Sequence, residues 1–380
     1  VILVSSEVVF ALTGAVGRNS RALRQLRVLQ GAGYRVKVLS LGADDPALLR
    51  EEGFQVHPLA IPPGRGIRFF AGVHRHFRAA ALHLPAHIYH ASDLYVLGAM
   101  HAAARHHGAA LVYDARELYA HVSATTGRPW VSWGWQQVEG RFIRHARLVL
   151  TVSESIAGHL ARQYRIPPPL VLYNTPPSQA IARTSLLHDW LGITPGMVLV
   201  LHQGQLRAQR GCERLVAAMP SVEGAVLVFL GDGPLRPMLE HLARQFQVQD
   251  RVRFLDPVPP DALLPVTASA DIGVTLLEDT CLNHRYALPN KLFEYLMAGL
   301  PVLASDLAEL RRVVAGYGVG RVVDPQDAQA LATTLQAMVD DAGARSQWSR
   351  NIPAALHAYG WEQTAPRFIE RYRKLSTGRS

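Results

Sequence analysis

Cysteine and lysine are scarce in this 380-residue chain, and several recurrent catalytic signatures are missing. Its two cysteines, Cys212 and Cys281, stand far apart with no CxxC or Cys/His spacing, which excludes a disulfide framework and structural zinc and points to a reducing cytoplasm. No GxxxxGK[ST], HExxH or GxSxG occurs, so ATPase, zinc-hydrolase and serine-hydrolase readings fall away. The full dinucleotide fingerprint GxGxxG is also lacking; Gly14 and Gly17 only loosen a loop after the first apolar run. Long apolar runs are absent too. A membrane-crossing helix needs about 20 uninterrupted apolar residues, and the longest uncharged stretches, such as 166–182, are broken by prolines. No secretory leader is visible, and because the chain opens at Val1 in an apolar run, a few upstream residues are expected. Acidic pairs occur at Asp44-Asp45 and Asp340-Asp341, both expected at the periphery, so no metal site is expected.

What is present is the composition of a soluble globular protein, 49% hydrophobic and 18% charged, with length for two domains of about 150 residues or more. Charge is unevenly spread. Residues 1–180 carry 19 Lys+Arg against 10 Asp+Glu, whereas 181–380 carry 20 of each. Only Lys37, Lys291 and Lys374 are lysines, and 12 of the 17 histidines lie in the first half. A basic face on the first domain suits an anionic acceptor or an anionic membrane surface, with no nucleic-acid partner expected.

Short apolar runs alternate with helical patterns along the whole chain. A strand at 1–5 is expected, then a glycine loop at 13–17 and a helix through Leu23, Leu26 and Leu29; strands follow at 36–41, 87–90, 110–114 and 148–152. The proline-rich stretch 166–177 interrupts the series. It resumes at 197–202, 225–230, 252–255, 272–277, 301–305 and 320–323, with a helix at 211–219. Such alternation predicts an α/β protein of two doubly wound, Rossmann-like domains, 1–180 and 181–360, facing across a shared cleft at the strand carboxyl ends. The terminal helical segment 361–375 could pack on either domain.

The most informative stretch is LPNKLFEYLMAGLPVLAS, 288–305, where Pro289 and Asn290 start a helix that Gly299 ends. At about 100° per residue, Leu292, Phe293, Leu296 and Met297 form a core arc; Lys291, Glu294 and Ala298 lie opposite, with Tyr295 at the edge. The helix start suits a phosphate, and the two oxygens of Glu294 could accept from both hydroxyls of a ribose; a Lys/Glu pair on a solvated face is the alternative. Two further strand-to-helix turns are GQLRAQRG, 204–211, with Arg210 beside a helix start, and Gly231-Asp232-Gly233-Pro234. Three such turns in one domain point together to a nucleoside diphosphate. In the first half, Asp93, Arg116 and Glu117 stand after strands and are candidates for binding an acceptor or the donor sugar, with helix capping as the alternative. Trp130, Trp133 and Trp135, near Arg128, Arg141 and Arg144, are expected to pack in the core, a lipid interface being the other reading.

These residues resemble glycosyltransferase family 4, the group 1 enzymes: retaining nucleotide-sugar glycosyltransferases of the GT-B fold. LPNKLFEYLMAGLPVLASD carries the resemblance most specifically, with VYDARELY, LVLTVSESIA, LYNTPP, VFLGDGP and YGWEQT in support. The resemblance implies a UDP- or GDP-sugar donor, a glycan or lipid-linked acceptor hydroxyl and no cofactor. It implies that Glu294 binds the ribose, that Pro289, Asn290, Lys291 and the amides around Leu292 hold the diphosphate with Arg210, that Gly204, Gln205 and Gly231 shape the donor loops, and that Leu255 and Val258 line the base. Arg210, Lys291 and Glu294 become the catalytic set, with Gly17, Asp93, Arg116 and Glu117 on the acceptor side and the terminal segment 361–380 returning to the first domain. Three positions depart from the family pattern: Tyr286 stands where a first glutamate is frequent, Arg116 where histidine is, and Gln205 follows Gly204 where arginine does. A sugar-nucleotide epimerase of the same architecture and a non-catalytic nucleotide- or glycan-binding protein are the competing readings.

Overall fold

The computed structural model describes residues 6–42, 52–62, 64–179, 181–194 and 196–377, the last two as backbone only. The chain divides into two compact units, Val1–Tyr173 with Thr364–Ser380, and Asn174–Gln363. The strand expected at 1–5 and the pair Asp44-Asp45 lie outside the described residues.

Unit 1 is built on seven parallel strands in the order β3-β2-β1-β4-β5-β6-β7: β1 (Glu7–Leu12), β2 (Arg35–Leu41), β3 (Gln55–Leu59), β4 (Ile88–Ala91), β5 (Ala110–Ala115), β6 (Leu148–Thr151) and β7 (Leu170–Val171). Unit 2 has six, ordered β10-β9-β8-β11-β12-β13: β8 (Val198–Gln203), β9 (Ala225–Leu230), β10 (Val252–Leu255), β11 (Ile272–Thr275), β12 (Val302–Ser305) and β13 (Gly320–Val323). Helices cover the sheets, so every residue of β5, β8 and β9 is buried, which is why these runs are apolar throughout rather than alternating. The strand order reverses between β1 and β4 and between β8 and β11, the places where doubly wound sheets open a crevice for ligands.

Two edge strands escape the sequence pattern. β3 carries Pro58 and polar residues that an edge tolerates, and β7 is two residues long inside the proline-rich stretch. In unit 1 the guanidinium of Arg21, on the helix Ser20–Gly31, donates to both oxygens of Asp114 at 2.8 Å, and Gln25 Nε2 donates to the same carboxylate at 2.8 Å. The Asp of VYDARELY is therefore a buried clamp for that helix. The terminal helix Trp361–Thr377 seats Phe368 and Tyr372, both fully buried, in unit 1, where Tyr372 hydrogen-bonds His90 and its ring meets Tyr34 edge-on. No helix among the described residues is long and apolar enough to cross a membrane.

Candidate functional site

In unit 2 the turns that follow β8, β9 and β10 are laced by main-chain hydrogen bonds. Gly204 donates to Leu230 O at 2.9 Å, Leu206 to Asp232 O at 3.0 Å, Leu235 to Leu206 O at 3.1 Å and Gly231 to Leu255 O at 2.9 Å. Such close backbone approach admits no side chain. At Gly231, φ +148°, a Cβ would stand 2.1 Å from Gly204 O, and at Gly233 one would stand 2.3 Å from Leu206 O. Gly231→Ala is therefore expected to destabilise unit 2 by roughly 1–3 kcal/mol, the usual cost of forcing backbone apart, seen as a lowered midpoint in urea unfolding; an unchanged midpoint would show that the turns can part freely.

Beside these turns a pocket of about 630 Å³ opens, within the range of small-molecule sites. The helix Asn290–Met297 presents its first turn to it. Pro289, Asn290, Lys291 and Glu294 line the pocket, facing Gly204, Gln205, Arg207, Gly231 and Val258. Leu292, Phe293, Leu296 and Met297 are buried as their spacing predicts. Tyr295 is not at an edge but fully buried: its ring fits against Gly273, where a Cβ would stand 2.3 Å away, and its hydroxyl accepts from Gln203 N at 2.9 Å and donates to Val274 O at 3.1 Å. The helix is thus pinned across β8 and β11, at the reversal of strand order.

Glu294 is oriented by a chain of hydrogen bonds. Gln203 Nε2 donates to Glu294 Oε2, and Gln203 Oε1 accepts from Thr267 Oγ1 at 2.8 Å. Asn290 Oδ1 accepts from Asn174 Nδ2, which gives the Asn of LYNTPP a positioning role. Lys291 Nζ, half-buried over the Gly204 turn, donates to His202 Nε2 at 3.4 Å. Burial pushes the ammonium down to about 8, Arg210 adding in the same direction, while Cys212 and Glu294 oppose. His202 is held well below its usual range by burial and then by the charges of Lys291 and Arg210, so the ring is neutral and its Nε2 can accept.

The residues expected around the donor fall in three groups. Gly204, Gln205, Gly231, Val258, Pro289, Asn290, Lys291 and Glu294 come together in the pocket. Leu255 stays in β10, its carbonyl bonded to Gly231, and Leu292 is core, its amide donating to Pro289 O at 3.1 Å, so neither lines the pocket. Arg210 does not line it either. Gln209 takes the left-handed conformation at φ +68°, as does Gly211, and Gln209 O accepts from Glu278 N at 3.1 Å, which carries this end of the loop toward the segment after β11. Arg207, earlier in the same loop, lines the pocket instead; Asp232, Gly233 and Pro234 of the second glycine turn line it as that turn suggested, and Gln203 and Leu263 join it without having been foreseen. Tyr286 follows the short helix Leu282–Arg285 and lies outside the lining.

In unit 1, Asp93 is a helix cap. Its Oδ1 accepts from Tyr95 N and Val96 N at 3.0 and 3.2 Å and its Oδ2 from Thr13 N and Oγ1 at 2.9 and 2.7 Å, bridging β4 to the loop after β1. With no exposed surface and these four bonds, it serves the loop rather than an acceptor. Arg116 donates to Tyr119 OH at 3.4 Å beside it, and Glu117 and Gly17 are exposed. Trp130 and Trp133 are 69% and 63% exposed, against the core packing expected of them; only Trp135 packs, against Phe70 and Tyr95. Among the described residues no group of three His, Cys, Asp or Glu could hold a metal ion.

Two family profiles match this chain: "Glycosyl transferases group 1" over residues 198–341 and "Glycosyl transferase 4-like domain" over 16–175. Among curated proteins it resembles the D-inositol 3-phosphate glycosyltransferase of Xylanimonas cellulosilytica, 32% identical over 58% of this chain and 53% of the relative. The chain thus spans about half the length of the curated relatives it matches. Among solved structures, sucrose-phosphate synthase from Thermosynechococcus elongatus superposes with a TM-score of 0.77 at 18% identity, covering 97% of this chain and 99% of that one. The Anabaena protein HepE in complex with UDP-glucose gives 0.76 at 17% identity over 97% and 100%. These structures share the two-domain GT-B fold. With one profile on each unit and that fold throughout, the chain belongs to glycosyltransferase family 4, the group 1 glycosyl transferases.

Proposed function

We propose that the chain transfers a glycosyl group from a UDP- or GDP-sugar to an acceptor hydroxyl, with retention at the anomeric carbon and without a metal ion. The observation that carries this reading is the single pocket in which a helix start, Lys291 and a carboxylate fixed by Gln203 converge. Glu294 accepts from the ribose hydroxyls, and the first turn of the helix Asn290–Met297 with Lys291 and Arg207 meets the diphosphate, where negative charge grows as the glycosidic bond breaks. Among the described residues the pocket's lining holds two carboxylates, Asp232 in the second glycine turn and Glu294, which this reading assigns to the ribose. With neither carboxylate assigned as nucleophile, the acceptor attacks from the face the diphosphate leaves, and the departing phosphate oxygen takes the acceptor proton.

UDP is the first nucleotide to test, because the Anabaena neighbour was solved with it. The curated relatives' name makes inositol 3-phosphate a concrete acceptor beside glycans and lipid-linked sugars. Exposed Trp130 and Trp133, with the arginine excess of the first half, favour work at the cytoplasmic face of an anionic membrane. The test is incubation with UDP- and GDP-glucose, with and without these acceptors, in the presence of EDTA. Acceptor-dependent release of nucleoside diphosphate with an α-linked product is expected. A changed sugar formed from donor alone would mean an epimerase, and nucleotide binding without turnover on any acceptor a binding protein.

A further inference from the structure

Unit 1 contains a second, larger pocket of about 1090 Å³, and none of its lining residues belongs to the donor or acceptor set. Three helices form it. Gly66–Leu82 contributes His74 and Arg78 and is followed by His83; Leu94–His106 contributes His101, Arg105 and His106; Pro129–Ile143 contributes Arg141 and is followed by His145. No Asp or Glu lines this pocket. Among the described residues, Arg78, Arg105 and Arg141 have no ion-pair partner.

His74 and His101 are half-buried in the pocket, and the three arginines stand exposed at its rim. Gly98, in mid-helix where glycine costs about 1 kcal/mol relative to alanine, leaves room for His74: a Cβ there would stand 3.2 Å from His74 Nδ1 and 3.1 Å from the Phe142 ring. The rings of His101 and His145 lie 4.6 Å apart, and His101 also packs on Phe142. Burial keeps His74 and His101 below the usual imidazole range; Arg78 adds to this at His74, and His145, Arg105 and Arg141 add to it at His101. Like charges therefore face one another here with no internal counter-charge. Three guanidinium groups can each grip a phosphate by two parallel hydrogen bonds, and the volume exceeds what a single phosphate fills.

We propose that this pocket binds a ligand bearing two or more clustered phosphates and holds it more tightly as the pH falls. The linkage follows from the site's own groups. A polyanion favours the imidazolium form of His74 and His101, which burial and the neighbouring arginines hold below the usual imidazole range, so a proton gained by either ring on binding raises affinity on the acid side. The arginines stay charged at both ends of the range and supply the residual affinity at high pH. This pocket is independent of the donor reading, since it shares no residue with it.

The probe is inorganic tripolyphosphate, followed by NMR on the imidazole C2–H resonances of His101 and His145, assigned with His101→Gln and His145→Gln. Both resonances are expected to shift on addition, the titration midpoint of His101 to rise by about 1 pH unit, and binding to be at least tenfold tighter at pH 6 than at pH 8. The variant Arg78→Gln/Arg105→Gln/Arg141→Gln, all exposed positions, should lose the response, whereas Lys291→Ala should keep it. Vesicles of phosphatidylglycerol form the second arm. Ring shifts with both probes would place the phosphates on a lipid headgroup, and shifts with tripolyphosphate alone would place them on a soluble ligand; either supports the site. Vesicle binding with no ring response to tripolyphosphate would overturn it in favour of a membrane surface, as would a pH-independent response or a triple variant that responds like the parent. The ring titration of the parent protein decides the matter even if the triple variant fails to fold.

Discussion

Lys291→Ala is expected to lower kcat/KM for the nucleotide-sugar by about 10²–10³, the loss typical of removing one preorganised donor from a site of developing negative charge. The structure explains why this lysine in particular matters. Its ammonium is held over the Gly204 turn by His202 Nε2, with burial opposing its charge, so it is placed in advance and poorly solvated. An incoming diphosphate supplies counter-charge in addition to that of Glu294. The pH profile gives a second reading. With the free amine pushed down to about 8, the cationic form that binds phosphate is full below that value and is lost as the pH rises through it. Affinity for UDP should therefore fall above pH 8 in the parent protein and be flat there in Lys291→Arg, whose guanidinium does not titrate. A parent profile that stays flat through pH 9, or an alanine variant with unaltered kcat/KM, would remove Lys291 from the diphosphate site.

The helix that bears Lys291 was readable because two local signals coincide: Pro289-Asn290 starts it, and an apolar arc at helical spacing fixes which face is buried. The glycine turns were readable for the same local reason, since strand, glycine and helix follow one another in the chain. What escaped depends on contacts distant in sequence. Gln203 reaches Glu294 across 91 positions, and nothing in the apolar run of β8 marks Gln203, its last residue, as a ligand-site group. Arg207 and Arg210 look equivalent in GQLRAQRG; the left-handed turn at Gln209, a conformation rare for a residue with a side chain, separates them. Tyr295 sits near the boundary of two arcs by angle alone, and only the missing side chain of Gly273 decides for the core. Asp93 behaves as the cap that its place before a helix allows. β3 and β7, missed in the sequence, are edge strands, where burial is one-sided and the apolar run that marks an inner strand is not required; the inner strand β1 runs at Glu7–Leu12, beyond the 1–5 expected for the first strand.

Glu294→Ala is expected to weaken UDP and GDP binding by about 10²–10⁴, because hydrogen bonds to a charged group contribute roughly 1.5–3 kcal/mol each and a ribose offers two hydroxyls. The carboxylate has about four acceptor sites, and Gln203 uses one of them to fix its direction. Gln203 is fixed in turn by Thr267. Truncating Glu294 thus removes both proposed ribose contacts and takes from the Gln203 amide its Glu294 acceptor in a half-buried site. Gln203→Ala leaves the carboxylate in place but removes one bond that orients it, so it should cost about tenfold, and Gln203→Glu, which sets two carboxylates side by side, should cost more than Gln203→Ala. Calorimetric titration orders the three. Thermal shift gives the same order independently, since a ligand at 100 times its Kd stabilises by about 2.7 kcal/mol, and that gain should vanish in Glu294→Ala at the same concentration. Undiminished nucleotide binding by Glu294→Ala would move the ribose elsewhere in the pocket. A loss in Glu294→Ala with no effect of either Gln203 substitution would keep the carboxylate as ligand but remove Gln203 as its positioning residue.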